Sequence, residues 1–424
     1  MPPTQHDTLF AELRRLQLLT EEAASRAAAA VRPEASAANQ LPRLLVEAGL
    51  TRFQAAVAVA GQASRLVFGP YILLDKLGEG GMGIVYRARH ARLGRVDALK
   101  VLRTDKVASR TVAKRFLREI QLTSSLEHPH VVRAYDAGTV GSQLYLATEL
   151  VDGIDLSSLV QNAGPLSVAD ACLVVYQAAM ALRHVNEKGL IHRDLKPSNL
   201  IRDRVTGAVK ILDLGLSGFN RAVADPGQGA TLTRDGVLLG TPDYMAPEQV
   251  QNPHRVDIRA DLYSLGSTFY FLLTGRPPYE GTPVEKMYKH GYAPPPTLAL
   301  PNGAQSPSGL TDILDRLMAK KPEERFPTPQ ALIDALLALR PGANSGTLHR
   351  SITVATPPPF DTLTGGQFDH LLSNRGSTLD TPRPKGATRS ADGGVSHRWL
   401  LFAVLALLFG AGFLATAVYF STRR

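Results

Sequence analysis

Four polar residues in two short stretches have the types and spacing to accept a proton, to stabilise negative charge and to hold a metal ion. The stretch "IHRDLKPSNLIRD" contains Asp194, whose carboxylate can accept a proton from a hydroxyl, and Lys196, whose ammonium can stabilise a transferring phosphoryl group. Asn199 in the same stretch offers an amide oxygen, and Asp213 in "KILDLGLSG" places a carboxylate at the end of an apolar run. Because Mg²⁺ prefers such oxygen ligands, the two stretches predict a base, a cation and a magnesium site.

A glycine-rich stretch, "LGEGGMGIVY", begins at Leu77 and could bring backbone N–H groups close to phosphates. Gly78, Gly80 and Gly83 fit the spacing G-x-G-x-x-G, which dinucleotide-binding folds share. In those folds a helix follows the glycines, whereas here the next residues have a strand pattern. The stretch therefore favours a hairpin over nucleotide phosphates, with Val85 facing an adenine ring. An ordinary glycine-rich hairpin is the alternative.

The next predicted strand places Ala98 and Lys100 two residues apart, so that both side chains lie on one face. A lysine on a central strand needs an anionic partner. Glu119 in the following helix could pair with Lys100 and hold its ammonium against the α- and β-phosphates of a nucleotide. The alternative is a surface lysine whose ammonium reaches water.

The elements that must position these residues form a two-part core. Residues 70–150 carry alternating β-branched and aromatic residues, interrupted by one helix pattern, and residues 165–340 are mostly helical in pattern. Hydrophobic residues make up 44% of the chain and charged residues 20%, which suffices for a sizeable core.

Residues 1–67 are rich in alanine and are expected to form helical hairpins. A weak repeat at a spacing of 31 places Thr20 and Thr51 each at the start of a helix. Thr51 with Gln54 fits a capping box. A chance match between two alanine-rich helices is the alternative to a repeat.

The C-terminal part combines a linker with an apolar segment. Of the 57 residues in 341–397, 28 are Pro, Gly, Ser or Thr, so we expect a disordered juxtamembrane linker. Residues 399–420 carry no charge and would form a helix ~33 Å long, close to the thickness of the hydrocarbon core. Trp399 and Tyr419 lie where interfacial aromatic residues are expected. We predict a transmembrane helix; a buried core helix is the alternative.

Charge and cysteine content narrow the classes of function. A single cysteine, Cys172, rules out a disulfide framework and suits a reducing compartment. The formal net charge of +9 is compatible with nucleic acid, a membrane surface, anionic substrates or simply basic linkers. No run of five like charges occurs, so we expect no nucleic-acid partner.

Five motifs occur in order along the chain: Gly-x-Gly-x-x-Gly-x-Val, Ala-x-Lys, His-Arg-Asp-Leu-Lys-Pro-x-Asn, Asp-x-Gly and Ala-Pro-Glu. Over residues 70–340 the chain therefore resembles eukaryotic-type (Hanks-type) bacterial serine/threonine protein kinases of the membrane-anchored kind. The resemblance implies an α+β, bilobal kinase fold, with a small β-rich N-lobe carrying one helix and a larger helical C-lobe. It also implies ATP and Mg²⁺ as cofactors.

The resemblance implies roles for individual residues. Catalytic roles fall on Asp194, Lys196, Lys100 and Glu119, and magnesium ligation falls on Asn199 and Asp213. Contacts with ATP are implied for Leu77, Gly78, Glu79, Gly80, Gly81, Met82, Gly83, Ile84, Val85, Ala98, Lys100, Glu149, Val151, Asp155 and Ile201. Within that set, the backbone of 149–151 would contact adenine and Asp155 would reach the ribose.

Supporting residues are implied in the same way. Asp261 should brace the catalytic loop, and Glu248 should pair with Arg325. Thr241 should hydrogen-bond Asp194 and, together with Lys196, is typical of kinases that act on serine and threonine. The sequence departs from the usual pattern at Leu214, where phenylalanine is common, and at Thr123 and Ala134, where larger apolar residues are common.

We therefore expect transfer of the ATP γ-phosphoryl group to serine and threonine hydroxyls of proteins, including the chain itself. Phosphate on Thr231 or Thr233 could pair with Arg193. A membrane-bound pseudokinase scaffold is the alternative. We expect a single-pass protein with a C-terminal anchor and a cytoplasmic kinase domain, because ATP is cytosolic. Ala406 and Gly410 offer a close-packing face, which leaves both a homodimer and a monomer open.

Overall fold

The computed structural model of the protein describes residues 5–31, 37–81, 83–102, 110–214, 242–251, 256–301 and 306–339. The helices are α1 (Gln5–Arg15), α2 (Glu21–Ala29), α3 (Ala37–Glu47), α4 (Arg52–Val59), α5 (Arg110–Thr123), α6 (Leu156–Ala163), α7 (Val168–Glu187), α8 (Pro247–Gln251), α9 (Ile258–Thr274), α10 (Pro283–Tyr292), α11 (Leu310–Leu317) and α12 (Pro329–Ala338). The strands are β1 (Val67–Phe68), β2 (Tyr71–Gly80), β3 (Gly83–His90), β4 (Val96–Leu102), β5 (Ala134–Val140), β6 (Gln143–Glu149), β7 (Gly153–Asp155), β8 (Leu200–Asp203) and β9 (Val209–Ile211).

The small lobe is a six-stranded antiparallel sheet with strand order β1-β2-β3-β4-β6-β5. Helix α5 covers part of it, and Phe116 and Ile120 of that helix pack against Leu102, Leu144 and Leu146. This arrangement confirms the predicted β-rich lobe with one helix. Helices α6 to α12 form a larger, mostly helical lobe, so the predicted bilobal α+β fold is confirmed.

Strand β4 alternates between two faces, as its sequence predicts. Asp97, Leu99 and Val101 are buried, whereas Ala98 and Lys100 are partly exposed on the opposite face. The buried Asp97 carboxylate accepts two hydrogen bonds from Arg95, at 2.6 and 3.1 Å. Ala98 and Lys100 therefore share the face that is partly open to solvent.

The large lobe is built around α7 and α9, whose apolar residues form its core with α11 and α12. A second, three-stranded sheet of order β7-β8-β9 lies against this core. Within the described part of the chain, α7 is the one helix long and apolar enough to cross a membrane. Its buried residues, such as Val175 and Leu182, identify it as a core helix of the lobe. The predicted linker 341–397 and membrane helix 399–420 lie outside the described residues.

The N-terminal helical unit, residues 5–66, contains the hairpins α1–α2 and α3–α4 around a core of its own. Thr20 caps α2 by accepting a hydrogen bond from the Ala23 N–H, and Thr51 caps α4 in the same way from the Gln54 N–H. The Gln54 side chain completes the capping box by accepting from the Thr51 N–H. Both predicted helix starts and the predicted capping box are confirmed.

Candidate active site

One loop between α7 and β8 brings Asp194, Lys196 and Asn199 together. The Lys196 ammonium lies 3.0 and 2.9 Å from the two carboxylate oxygens of Asp194. The Asn199 side-chain nitrogen donates to the Asp194 backbone oxygen at 2.7 Å and lies 3.3 Å from Oδ2 of the same residue. The Asp194 side chain remains 32% exposed, so a substrate hydroxyl can reach it.

Asn199 and Asp213 lie at the same end of the β8–β9 hairpin. Leu200 pairs with Ile211 in that hairpin, and the Leu212 N–H donates to the Asn199 carbonyl oxygen at 2.9 Å. The Asn199 amide nitrogen is occupied by Asp194, so its oxygen is the atom offered to a cation. One amide oxygen and one carboxylate suit Mg²⁺, which is usually held by few protein oxygens plus substrate phosphates. Within the described residues, no group of three or more His, Cys, Asp or Glu forms an all-protein metal site.

Lys100 pairs with Asp213 across the cleft between the lobes. Its Nζ lies 2.5 Å from Oδ2 of Asp213, and the lysine side chain is 14% exposed. The anion that the sequence analysis assigned to Lys100 was Glu119, which belongs to α5. The Glu119 side chain lies outside the described part of the chain, so the pairing of Lys100 with Glu119 stays a prediction.

The glycine-rich stretch is a β-hairpin, as predicted, and not the start of a helix. Gly78 pairs with Val85 and Gly80 with Gly83, so β2 runs directly into β3. A Cβ atom on Gly83 would lie 2.1 Å from the Val101 backbone oxygen, so only glycine fits there. A Cβ atom on Gly78, Gly80 or Gly81 would meet no described atom within 4 Å. Protein packing does not require these three glycines, whereas close approach to a phosphate would.

Several of the residues predicted to contact ATP border this cleft. Val85 on β3 pairs with Lys100, and Ala98 pairs with Thr148 on β6. Leu77, Glu79 and Ile84 belong to the hairpin, Glu149 ends β6, Val151 follows it, and Ile201 lies on β8. Met82 lies outside the described residues. These contacts stay predictions.

Asp155 has a structural role that the sequence analysis did not assign. It is the N-cap residue of α6, where its carboxylate accepts from the Ser158 N–H at 2.9 Å and from the Ser158 hydroxyl at 2.6 Å. It also pairs with Ile201 between β7 and β8. The predicted contact with a ribose would have to share this carboxylate with the helix cap.

The loop that carries Asp194 is anchored by Asp261 of α9. Its two carboxylate oxygens accept from the His192 and Arg193 N–H groups, each at 2.7 Å, which confirms the predicted bracing. Complete burial raises the pKa of the Asp261 carboxyl, and the two N–H donors act in the opposite direction. Arg193 has φ of +67° and Asp213 has φ of +59°, a conformation uncommon for residues other than glycine. Such strain concentrates at functional sites.

The Ala-Pro-Glu motif is bonded both to the core and to the loop that carries Asp194. Arg325 pairs with Glu248 through two bonds of 2.6 and 2.9 Å, which confirms the predicted pair. Gln249 donates to the Arg193 carbonyl oxygen at 2.7 Å and accepts from the Ala246 N–H at 2.9 Å. The sequence analysis missed Gln249, and its position next to Glu248 is the one signal that could have pointed to it.

The two small residues noted in the sequence line a small cavity behind the cleft. Thr123 and Ala134 share this cavity with Thr148, Asp213 and Leu214. The Thr123 hydroxyl donates to the Ile120 carbonyl oxygen of its own helix. Larger apolar side chains at these two positions would occupy the space, so the packing behind Asp213 is looser than it could be.

Known proteins are similar to this chain in sequence and in fold. A family model described as the protein kinase domain matches residues 71–337. Serine/threonine-protein kinase PknB of Mycobacterium tuberculosis is 36% identical over 322 residues, which cover 74% of this chain and 48% of PknB. Serine/threonine-protein kinase pkn2 of Myxococcus xanthus is 35% identical over 333 residues, which cover 77% of this chain and 39% of pkn2. The chain thus spans about half, or less, of the length of these curated relatives.

Among solved structures, the crystal structure of the Mycobacterium tuberculosis PknI kinase domain is similar, with a TM-score of 0.51 and 28% sequence identity. The match covers 65% of this chain and 98% of that domain.

Proposed function

This chain belongs to the protein kinase family, and from that membership we propose that it transfers the γ-phosphoryl group of ATP to serine and threonine hydroxyls of proteins. The observation that carries the proposal is the convergence of Asp194, Lys196 and Asn199 on one loop. Asp213, bonded to Lys100, lies at the adjoining end of the β8–β9 hairpin. A base, two cations and two oxygen ligands are thereby gathered at one cleft.

The positions of the polar side chains at the cleft suggest a role for each of them in the reaction. Asp194 accepts the proton of the attacking hydroxyl, because its carboxylate is partly exposed while Lys196 and Asn199 hold it in place. Lys196 is placed to stabilise negative charge on the group in transfer. Asn199 and Asp213 would hold Mg²⁺, which when bound neutralises phosphate charge. Protein kinases in general use ATP and Mg²⁺.

Lys100 and the glycine hairpin are proposed to bind the nucleotide. Lys100 borders the cleft beside Val85, where its ammonium can contact the α- and β-phosphates. The open space around Gly78, Gly80 and Gly81 lets backbone N–H groups approach the phosphates. The pairing of Lys100 with Glu119 is part of this proposal.

A pseudokinase scaffold is the weaker alternative, because it would require a missing catalytic group. The base, the lysine and both magnesium ligands are all present in the sequence and border one cleft.

We propose that the segment before the Ala-Pro-Glu motif controls the activity. Among the described residues, no hydrogen-bond partner reaches the buried Nε of Arg193, which suits a later phosphate partner. Thr231, Thr233 and Thr241 lie outside the described residues.

Substitution of Lys100 should distinguish an active kinase from a pseudokinase scaffold. Purified full-length protein with Mg²⁺ and γ-labelled ATP should label itself and a generic serine/threonine substrate, and Lys100→Met should lower that rate by about 10²-fold. Peptide mapping of the labelled protein should place phosphate on Thr231 or Thr233. Equal labelling by wild type and Lys100→Met would overturn the assignment of Lys100, and no labelling by wild type would overturn the kinase proposal.

We propose the layout of a helical extension over 1–67, a kinase domain over 70–340, a linker over 341–397 and a membrane helix over 399–420. The charge-free run of 22 residues supports the membrane helix. The ATP-using domain would then face the cytoplasm, and Ala406 with Gly410 would permit a homodimer without requiring one.

The membrane anchor has a direct test. The full chain should sediment with membranes and resist extraction by alkaline carbonate, whereas a variant ending at residue 397 should be found in the soluble fraction. Carbonate release of the full chain would contradict the proposed span.

A further inference from the structure

The N-terminal helical unit contacts strand β2 at an irregularity that lies just before the glycine hairpin. The register between β2 and β3 shifts between Leu73 and Asp75, which leaves Leu74 as an extra residue on β2. The Leu73 carbonyl oxygen accepts a hydrogen bond of 2.8 Å from the Gln54 amide nitrogen. The Leu74 carbonyl oxygen accepts from the Thr51 hydroxyl. Two adjacent carbonyls at the bulge are therefore held by one helix end.

Thr51 and Gln54 also cap α4, so the same two residues make both the helix cap and the contact with β2. The Gln54 N–H donates to the Thr51 hydroxyl oxygen at 3.1 Å, and the Thr51 N–H donates to the Gln54 amide oxygen at 3.0 Å. Both ends of the Gln54 amide are thus occupied, and the residue is only 4% exposed. A buried amide whose nitrogen and oxygen are both hydrogen-bonded has one preferred orientation, which ties α4 to β2.

A second contact joins the same helix to the other strand of the hairpin. Phe53 packs beside Tyr86 of β3, with ring centroids 6.1 Å apart and planes at 47°. Tyr86 pairs with Lys76 of β2 and directly follows Val85. The helical unit therefore touches both strands from which the glycine hairpin extends.

The two arms of the hairpin differ in support, because β3 is paired with β4 as far as Gly83 and Leu102, whereas the β2 arm has β3 as its neighbour on one side. Residues 76–81 of the β2 arm are exposed, so the orientation of this segment depends on its pairing with β3 and on the part of β2 that precedes it. We propose that Thr51 and Gln54 are positioning residues, through which the N-terminal helical unit orients the glycine hairpin and sets the affinity for ATP. This inference rests on the proposed kinase function.

The repeat in the N-terminal unit supplies a natural control. At the spacing of 31, Thr20 corresponds to Thr51 and Ala23 corresponds to Gln54. Thr20 caps α2 by accepting from the Ala23 N–H at 3.2 Å, but an alanine side chain cannot donate a hydrogen bond to a strand. Loss of the Thr20 hydroxyl therefore removes a helix cap without removing a strand contact.

The test compares full-length Gln54→Glu with wild type. Glutamate keeps the acceptor that completes the capping box and loses the donor to the Leu73 carbonyl. We expect KM for ATP, and Kd for Mg-ATP measured by calorimetry, to rise about five-fold, with kcat within two-fold of wild type. Thr51→Val should have the same effect, while Thr51→Ser and Thr20→Val should match wild type. Backbone amides of residues 76–81 should exchange hydrogen faster in Gln54→Glu and Thr51→Val.

The outcomes separate this inference from the proposed function. Unchanged ATP affinity and exchange in Gln54→Glu and Thr51→Val would overturn the positioning role while leaving the kinase function intact. Equal effects of Thr20→Val and Thr51→Val would show that a helix cap, and not the strand contact, is responsible, and would also overturn it. If Gln54→Glu fails to fold, the comparison of Thr51→Val with Thr20→Val decides. If wild type transfers no phosphate, the proposed function fails, and binding of Mg-ATP with hydrogen exchange still tests the inference.

Discussion

Asp194→Asn is expected to lower kcat for phosphoryl transfer by about 10³-fold, because an amide cannot accept the proton of the attacking hydroxyl. Asparagine has nearly the same shape, and it can keep an oxygen near the Lys196 ammonium, which lies about 3 Å from both oxygens of Asp194. Affinity for Mg-ATP should therefore stay within a few-fold of wild type. Steady-state rates with a peptide substrate, together with calorimetric titration of Mg-ATP, measure the two effects separately.

The matched control is Asp312→Asn, the same substitution at an exposed carboxyl in the first turn of α11. It should leave kcat unchanged. A kcat for Asp194→Asn above one tenth of the wild-type value would show that another group accepts the proton, and the assignment of Asp194 as the base would be wrong.

Glu248→Ala is expected to lower the free energy of unfolding by about 3–5 kcal/mol, because it leaves a buried guanidinium without its counter-charge. The Arg325 side chain is fully buried and makes five hydrogen bonds. Two go to Glu248, and three go to the backbone oxygens of Ala319, Arg259 and Lys320. Urea unfolding followed by circular dichroism measures the loss.

Glu47→Ala provides the comparison, since Glu47 also pairs with an arginine, Arg43, at 2.7 Å. Both of those side chains are more than half exposed, so its loss should cost under about 0.5 kcal/mol. If the two glutamate variants unfold at the same urea concentration, the buried pair contributes no more than an exposed one, and the argument from burial is refuted.

The sequence alone was sufficient to predict features that depend on residues close together along the chain. The two-residue period of β4 placed Ala98 and Lys100 on one face, and the residues after Gly83 distinguished a hairpin from a dinucleotide-binding helix. The capping box at Thr51 and Gln54 could be read from two residues three apart. The larger fold followed from the order of the motifs, which resemble those of one family.

Other features depend on residues that are distant in sequence. Lys100 pairs with Asp213, which is 113 residues away, and no pattern in the local sequence identifies Asp213 as a partner of Lys100. The strand contact of Gln54 requires knowing which face of α4 meets β2. The capping role of Asp155 is different, because an aspartate just before a helix is a readable N-cap signal. The resemblance drew attention to a ribose instead.

The alternation of β4 has a consequence for how the small lobe folds. A slip of one residue against β3 or β6 would exchange the two faces of the strand. Lys100 would then enter the apolar interior, at a cost of several kcal/mol. The ammonium that the reaction needs therefore also penalises the misaligned sheet, so that a correctly assembled lobe and a usable lysine arise together.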